Sequence, residues 1–224
     1  MDGVTRRVKG RSYDTTSRQA RSNATRQRIL DAARTLIAER GYSGTTVAAI
    51  AHEAEVHVDT VYALVGRKAE VVRELIELAL SGSDRALPAE ERPYVAAIRA
   101  ATDPAVKLSI YAAATREMLG RLAPLFLALR DAAGTDPAAR RLWRDFSDRR
   151  ARNMRRFVHD LADAGGLRSG LDVDEAADTV WATNSPELYV MLTQERRWTH
   201  QRYEEWLATT WSRLLLPTAL LEPH

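Results

Sequence analysis

An all-α fold is predicted for this 224-residue chain from three features of its sequence. Apolar residues recur at three- and four-residue spacing from Thr25 onward. Beyond Pro88 no stretch shows the period-two alternation of a half-buried strand. Polar caps, prolines at first helical positions and closing glycines divide the chain into successive segments. At ordinary helix lengths this makes about nine or ten helices.

Taken in order, residues 1–22 carry Ser, Thr, Arg and Gln with few large apolar residues and read as a flexible basic arm. Ile29, Leu30, Ala33, Leu36 and Ile37 then form a helical stripe closed by Gly41. Thr45 or Thr46 can cap a second helix through Ala54, and a third short helix is expected from Val58 to Leu64. Gly66 breaks it. A longer helix with Val72, Leu75, Ile76 and Ala79 on one face follows, as far as Ser81-Gly82-Ser83. Asp103-Pro104 and Asp136-Pro137 each read as a cap followed by proline at the first helical position. Gly165-Gly166 and Gly170 interrupt, and Asp172 restarts. Pro186 kinks a helix or separates two, and an amphipathic stripe from Trp206 to Leu215 ends at Pro217. The expected organisation is an arm (1–22), a helix-turn-helix domain (23–83) and a larger helical body (84–219).

Composition narrows the function classes. With no cysteine, neither a disulfide framework nor a thiolate metal site is available. No apolar run approaches the roughly 18 residues that span a bilayer, and the basic start lacks the apolar core of a signal peptide. A cytoplasmic protein is expected. The net charge of +3 is unevenly placed: residues 1–28 hold eight Arg/Lys against Asp2 and Asp14, whereas residues 83–224 hold twenty of each sign. A basic excess at one end suits contact with phosphate.

The segment 41–70, GYSGTTVAAIAHEAEVHVDTVYALVGRKAE, has the layout of a helix-turn-helix whose second helix enters a DNA major groove. Thr45 and Thr46 stand at a helix start, a natural phosphate contact. Ile50, Ala51, Ala54, Val56 and Val61 are the expected packing residues. His57, Val58, Asp59, Thr60 and Tyr62 are left on the outer face, with Lys68 at the start of the next helix. Tyr62 and Lys68 suit phosphate oxygens; His57, Val58, Asp59 and Thr60 suit base edges.

These residues resemble the N-terminal domain of TetR-family transcriptional regulators. The pattern is carried by Gly41-Tyr42, Thr45-Thr46, Ile50-Ala51, Ala54-Glu55-Val56-His57, Thr60-Val61-Tyr62 and Gly66-Arg67-Lys68. Residues 181–208 also resemble C-terminal sequence of actinobacterial members. The sequence departs from the pattern where Glu55 replaces a turn glycine, His57 a serine cap, Asp59 a common glycine and Leu64-Val65 an aromatic pair. Base preference therefore does not carry over. The resemblance implies a homodimer on a palindromic operator, a small-molecule effector in the helical body, and a two-fold four-helix interface built from the last two long helices.

Outside that domain the candidates are weaker. Tyr111, Arg116, Glu117, Met118, Trp143, Trp181 and Asn184 mix polar groups with large apolar ones, as a ligand pocket requires. Val180, Leu188, Leu192, Trp206, Trp211, Leu214 and Leu215 are candidates for the dimer interface. In the arginine run 140–156, Asp145, Asp148 and Asp160 lie four residues after Arg141, Arg144 and Arg156. That spacing reads as a solvated, ion-paired helix face rather than a second nucleic-acid surface. His52 and His57 are five apart, so they cannot share one helical face as metal ligands. No catalytic residue, metal site or cofactor is assigned. The sequence predicts a ligand-responsive DNA-binding repressor. The alternatives are an activator, or an all-helical enzyme or small-molecule binder with an incidental helix-turn-helix.

Overall fold

Local signals in the sequence fix most helix ends in the computed structural model of the chain, which describes residues 12–220. Helix α1 (Ser12–Arg40) is followed by α2 (Val47–Glu53), α3 (Val58–Leu64) and α4 (Lys68–Ser81). Gly41 ends α1 with a φ of 68°, and Gly82 ends α4 with a φ of 66°, a left-handed conformation that side chains with a Cβ disfavour. Thr46 caps α2 by accepting from the Ala49 amide at 3.0 Å. Ile29, Leu30, Ala33, Leu36 and Ile37 of α1 pack with Ile50, Ala51 and Val61 into a core completed by Val71, Val72, Leu75 and Ile76 of α4.

The remaining helices are α5 (Pro93–Ala100), α6 (Pro104–Ala132), α7 (Pro137–Asp163), α8 (Val173–Thr183), α9 (Pro186–Val190) and α10 (His200–Leu215). Asp103, Asp136 and Asp172 cap α6, α7 and α8 as the sequence predicts, with Oδ1 accepting from amides two residues on at 2.7, 2.7 and 2.8 Å. Ser185 caps α9, so Pro186 separates two helices instead of kinking one. A wide turn, Met191–Glu195, leads toward α10. No strand occurs among the described residues. None of these helices is long and apolar enough to cross a membrane.

Helix α6 is the axis of the body. It packs against α4, α5, α7, α9 and α10, and also touches α1. Two ion pairs tie α4 to α7: Arg73 with Asp145, and Arg149 with Glu77, each at 2.7 Å. Arg121 of α6 adds a bond from its Nε to the Ala79 carbonyl at 3.1 Å. Helix α4 thus belongs to the N-terminal core while being fastened to the body.

Two sequence expectations change here. Helix α1 already begins at Ser12, so residues 12–22 are helical where an arm is expected; residues 1–11 lie outside the described residues. Polar contacts four residues apart, such as Gln19 with Asn23 at 3.0 Å, stand in for apolar periodicity in this exposed extension. The arginine run also pairs differently. Asp145 meets Arg73, Asp160 meets Lys107 at 2.7 Å, and Arg156 meets Glu90 at 3.4 Å, so the partners come from other helices rather than the next turn of α7.

Candidate nucleic-acid interface and interior cavity

The turn between α2 and α3 positions the outer face of α3. Glu55 donates its amide to the His52 carbonyl at 3.1 Å, and Val56 donates to the Ala51 carbonyl at 2.9 Å, the paired bonds of a Schellman closure. That closure puts Glu55 at a φ of 52°, where glycine is the unstrained choice. His57 then starts α3 without a side-chain capping bond, which leaves its ring free. Behind α3, Val61 is fully buried and anchors the helix.

Outward, His57 and Asp59 are exposed, Val58 is 37% exposed and Tyr62 50% exposed, with Thr60 half-buried beside them. Val58 and Tyr62 are thus open to solvent on the outer side of this seven-residue helix. Thr46 lies exposed at the start of α2. Its oxygen already accepts from Ala49, and its O–H remains available as a donor.

Two expected contacts at this face need revision. Thr45 is fully buried and its hydroxyl donates to the Gly41 carbonyl at 2.8 Å, so it holds the loop and cannot reach a ligand. Lys68 is half-buried; its Nζ donates to the Tyr42 carbonyl at 3.1 Å and lies 4.1 Å from the centre of the Tyr42 ring. It orients the loop–α4 junction, with its other N–H groups left to donate outward. Burial, reinforced by the charge of Asp136, pushes the Tyr42 phenol up to about 12, so the ring under Lys68 stays neutral.

The body holds a cavity of about 170 Å³ among α4, α5, α6, α7 and the α8–α9 junction. Tyr111, Met118 and Asn184, three of the seven candidate ligand residues, line it. Asn184 donates to the Tyr111 hydroxyl at 3.1 Å and to the Met154 sulfur at 3.0 Å. Burial raises the Tyr111 pKa well above its usual value, keeping the phenol protonated. The other four candidates stand outside the lining. Arg116 turns to Glu204 at 2.7 Å and to Glu117 at 3.2 Å. Trp143 packs on the core, and Trp181 lies beneath the Arg150 guanidinium.

Sequence reasoning missed Arg92, Arg149 and Arg150 as lining residues. A signal was present. Phe146, Arg149, Arg150, Asn153 and Phe157 recur at helical spacing on the inward stripe of α7, so these two arginines follow the apolar face. Arg150 donates to the Asn184 Oδ1 at 3.1 Å and to the Trp181 carbonyl, and burial lowers its pKa.

Three of the proposed interface residues prove to be intrachain core. Val180 and Trp211 are fully buried and Leu215 nearly so; the Trp211 indole donates to the Thr183 hydroxyl at 2.7 Å and its ring stacks on Tyr111 at 5.3 Å. Leu214 is 41% exposed, while Leu188, Leu192 and Trp206 are half-buried.

Fold and surface together describe a helix-turn-helix head carried on a helical body with an interior cavity. Residues 29–75 match the family described as bacterial regulatory proteins, tetR family. No curated protein sequence matches the chain. Solved structures share the fold across head and body. A fatty acid degradation regulator FadR from Bacillus halodurans is 19% identical with a TM-score of 0.68, covering 84% of this chain and 94% of that one. The FadR regulator from Bacillus subtilis, solved with stearoyl-CoA, is 19% identical with a TM-score of 0.66, covering 83% and 97%. A putative transcriptional regulator from Saccharomonospora viridis, solved with choline, is 22% identical with a TM-score of 0.64, covering 86% and 97%.

Proposed function

We propose that the protein is a ligand-responsive transcriptional repressor that binds a palindromic DNA operator as a homodimer. The observation that carries this reading is the outer face of α3: His57, Val58, Asp59 and Tyr62 are exposed on a helix whose opposite side is locked into the core. Tyr62, Thr46 and the free donors of Lys68 would fix the helix on phosphates, while His57, Val58, Asp59 and Thr60 would meet base edges. The head would comprise residues 23–83 and the body residues 84–219.

Leu214, with Leu188, Leu192 and Trp206, gives the α9–α10 side an apolar face suited to a two-fold interface, to which Met191, 48% exposed, adds. Dimer symmetry would set half-sites about 34 Å apart, or a multiple of that. A small molecule in the cavity would bias the position of α7. The pairs Arg73–Asp145 and Arg149–Glu77 would pass that bias to α4 and so to the spacing of the heads. The ligands bound by solved regulators of this fold, stearoyl-CoA and choline, support a small-molecule role for the cavity. No catalytic constellation or cofactor is invoked, and the place of action is the cytoplasm, where the DNA is.

Selection of bound sequences from random duplexes tests the reading. A two-fold symmetric consensus is expected, bound less tightly as salt rises. Recovery of no consensus, or of an asymmetric one bound by a single copy, would overturn it.

A further inference from the structure

The cavity wall is apolar where Leu119, Phe126 and Phe157 form it, yet it also carries one guanidinium without a counter-ion, Arg92, and a second, Arg149, with an unmet donor. Arg92, at the start of α5, is 5% exposed; its Nε has no partner, and its Nη2 makes one long bond, 3.4 Å, to the Leu87 carbonyl. Among the described residues no carboxylate lies within ion-pair distance of Arg92. Arg149 meets Glu77 through Nη1, but its Nη2 is buried with no hydrogen-bond partner. Both arginines also line a polar recess of about 480 Å³ that shares residues with the cavity, so they stand where the two spaces join. The cavity's carboxylates do not neutralise Arg92: Asp160 is held by Lys107 at 2.7 Å and Glu90 by Arg156 at 3.4 Å. A guanidinium taken out of water without a counter-ion is costly, and a bound anion would remove that cost.

We propose that the cavity takes an anion on an apolar body, its carboxylate or phosphate monoester held by Arg92 and Arg149 and its hydrocarbon or aromatic part lodged among Leu119, Phe126 and Phe157. This rests on the reading of the cavity as the effector site. Arg92 brings an orphan N–H donor and Arg149 a second, and both residues line the same space, as binding the oxygens of an acid group requires. The volume resembles that of an engineered cavity of about 150 Å³ that holds benzene, so the buried part is small, on the order of six to ten non-hydrogen atoms. The larger polar recess leaves room for a charged head group.

Titration calorimetry of the full-length protein with octanoate, octyl phosphate, octan-1-ol and octylamine tests this, with release of the selected DNA followed in parallel. At least one of the two anions is expected to bind about tenfold or more tighter than the alcohol, the scale of a charge-assisted hydrogen bond, and the amine weakest. The order of octanoate and octyl phosphate identifies which acid group the site prefers. Arg92→Gln should abolish the anion preference with little change in alcohol binding, Arg92→Lys should retain part of it, and Arg149→Gln should weaken anion binding independently. Alcohol or amine binding as tight as both anions would overturn the proposal, as would binding of none of the four up to their solubility limits. Anion binding that leaves the DNA complex intact would support the site while removing its regulatory role. Equal binding of all four with DNA release would do the reverse.

Discussion

The reading head and the helical body treat their polar and apolar surface in opposite ways. On α3 the side chains without intrachain partners point outward: the free ring of His57, Val58 and the half-exposed Tyr62. In the body, two buried donors without partners, Arg92 Nε and Arg149 Nη2, belong to residues on a cavity wall. An outward set can meet a macromolecule, and an inward set only something small enough to enter. The direction in which the two candidate sites face separates the two kinds of partner.

The largest effect is expected in the body's core. Trp211→Ala removes a fully buried indole that bonds Thr183 and stacks on Tyr111. It should cost about 3–5 kcal/mol of stability, measured by denaturant unfolding. Leu214→Ala, at a side chain 41% exposed in the protomer, should leave the protomer's stability within about 0.5 kcal/mol and instead weaken self-association in sedimentation experiments. If Trp211→Ala lowered only dimer affinity and spared the protomer, the division between core and outer face of α10 would be wrong.

That pair of neighbours shows where sequence reading stops. The amphipathic stripe from Trp206 to Leu215 is legible, and α10 forms as expected. Which residues on it face a partner and which face their own protomer depends on where α6 and α8 lie, and one helix's periodicity does not contain that information. The same limit governs the cavity. Tyr111, Met118 and Asn184 are found because polar and apolar residues mix locally, whereas Arg92 belongs to a separate helix brought in by tertiary packing. In the head the information is local: the cap at Thr46, the turn at Glu55, the break at Gly66 and the boundaries of α3 all fall where the sequence places them. Even there Thr45 misleads, since two adjacent threonines look alike in sequence and only the fold turns one inward.

A smaller but more specific effect is expected on α3. Tyr62→Ala should weaken DNA binding about ten- to a hundredfold, the scale of a lost hydrogen bond to a charged group, and do so across all operator sequences. Because the ring is half-exposed and does not serve the core, thermal stability should change little. A loss confined to one base position would reassign Tyr62 from phosphate to base contact.

Alkaline pH sharpens the contrast between exposed and buried phenols. Burial raises the pKa of Tyr42 to about 12, and that of Tyr111 and Tyr203 also upward. In the unfolded chain these groups ionise near their ordinary value of about 10. A folded-state pKa above the unfolded one gives stability that is complete below about pH 10 and is lost as pH rises toward the folded values. Unfolding midpoints should therefore fall above about pH 10, with tyrosinate absorbance appearing together with loss of helix. Full ionisation of all phenols in a protein that keeps its helical signal would contradict the burial of these rings.

The smallest expected effect lies in the turn that aims α3. Glu55 holds a left-handed φ of 52° that costs a residue with a Cβ about 1 kcal/mol. Glu55→Gly relieves that strain but gives the unfolded chain more conformational freedom to lose, so the net gain should be at most about 1 kcal/mol. For a chain of this length that is about 2–4 °C in Tm. The informative part is the accompanying DNA measurement. If the Schellman bonds from Glu55 and Val56 hold the turn whichever residue occupies position 55, the glycine variant should bind DNA as the parent does, because the angle of α3 is unchanged. A gain in stability with a loss of DNA affinity would mean that the glutamate side chain, or the rigidity its strain imposes, helps to position the reading face.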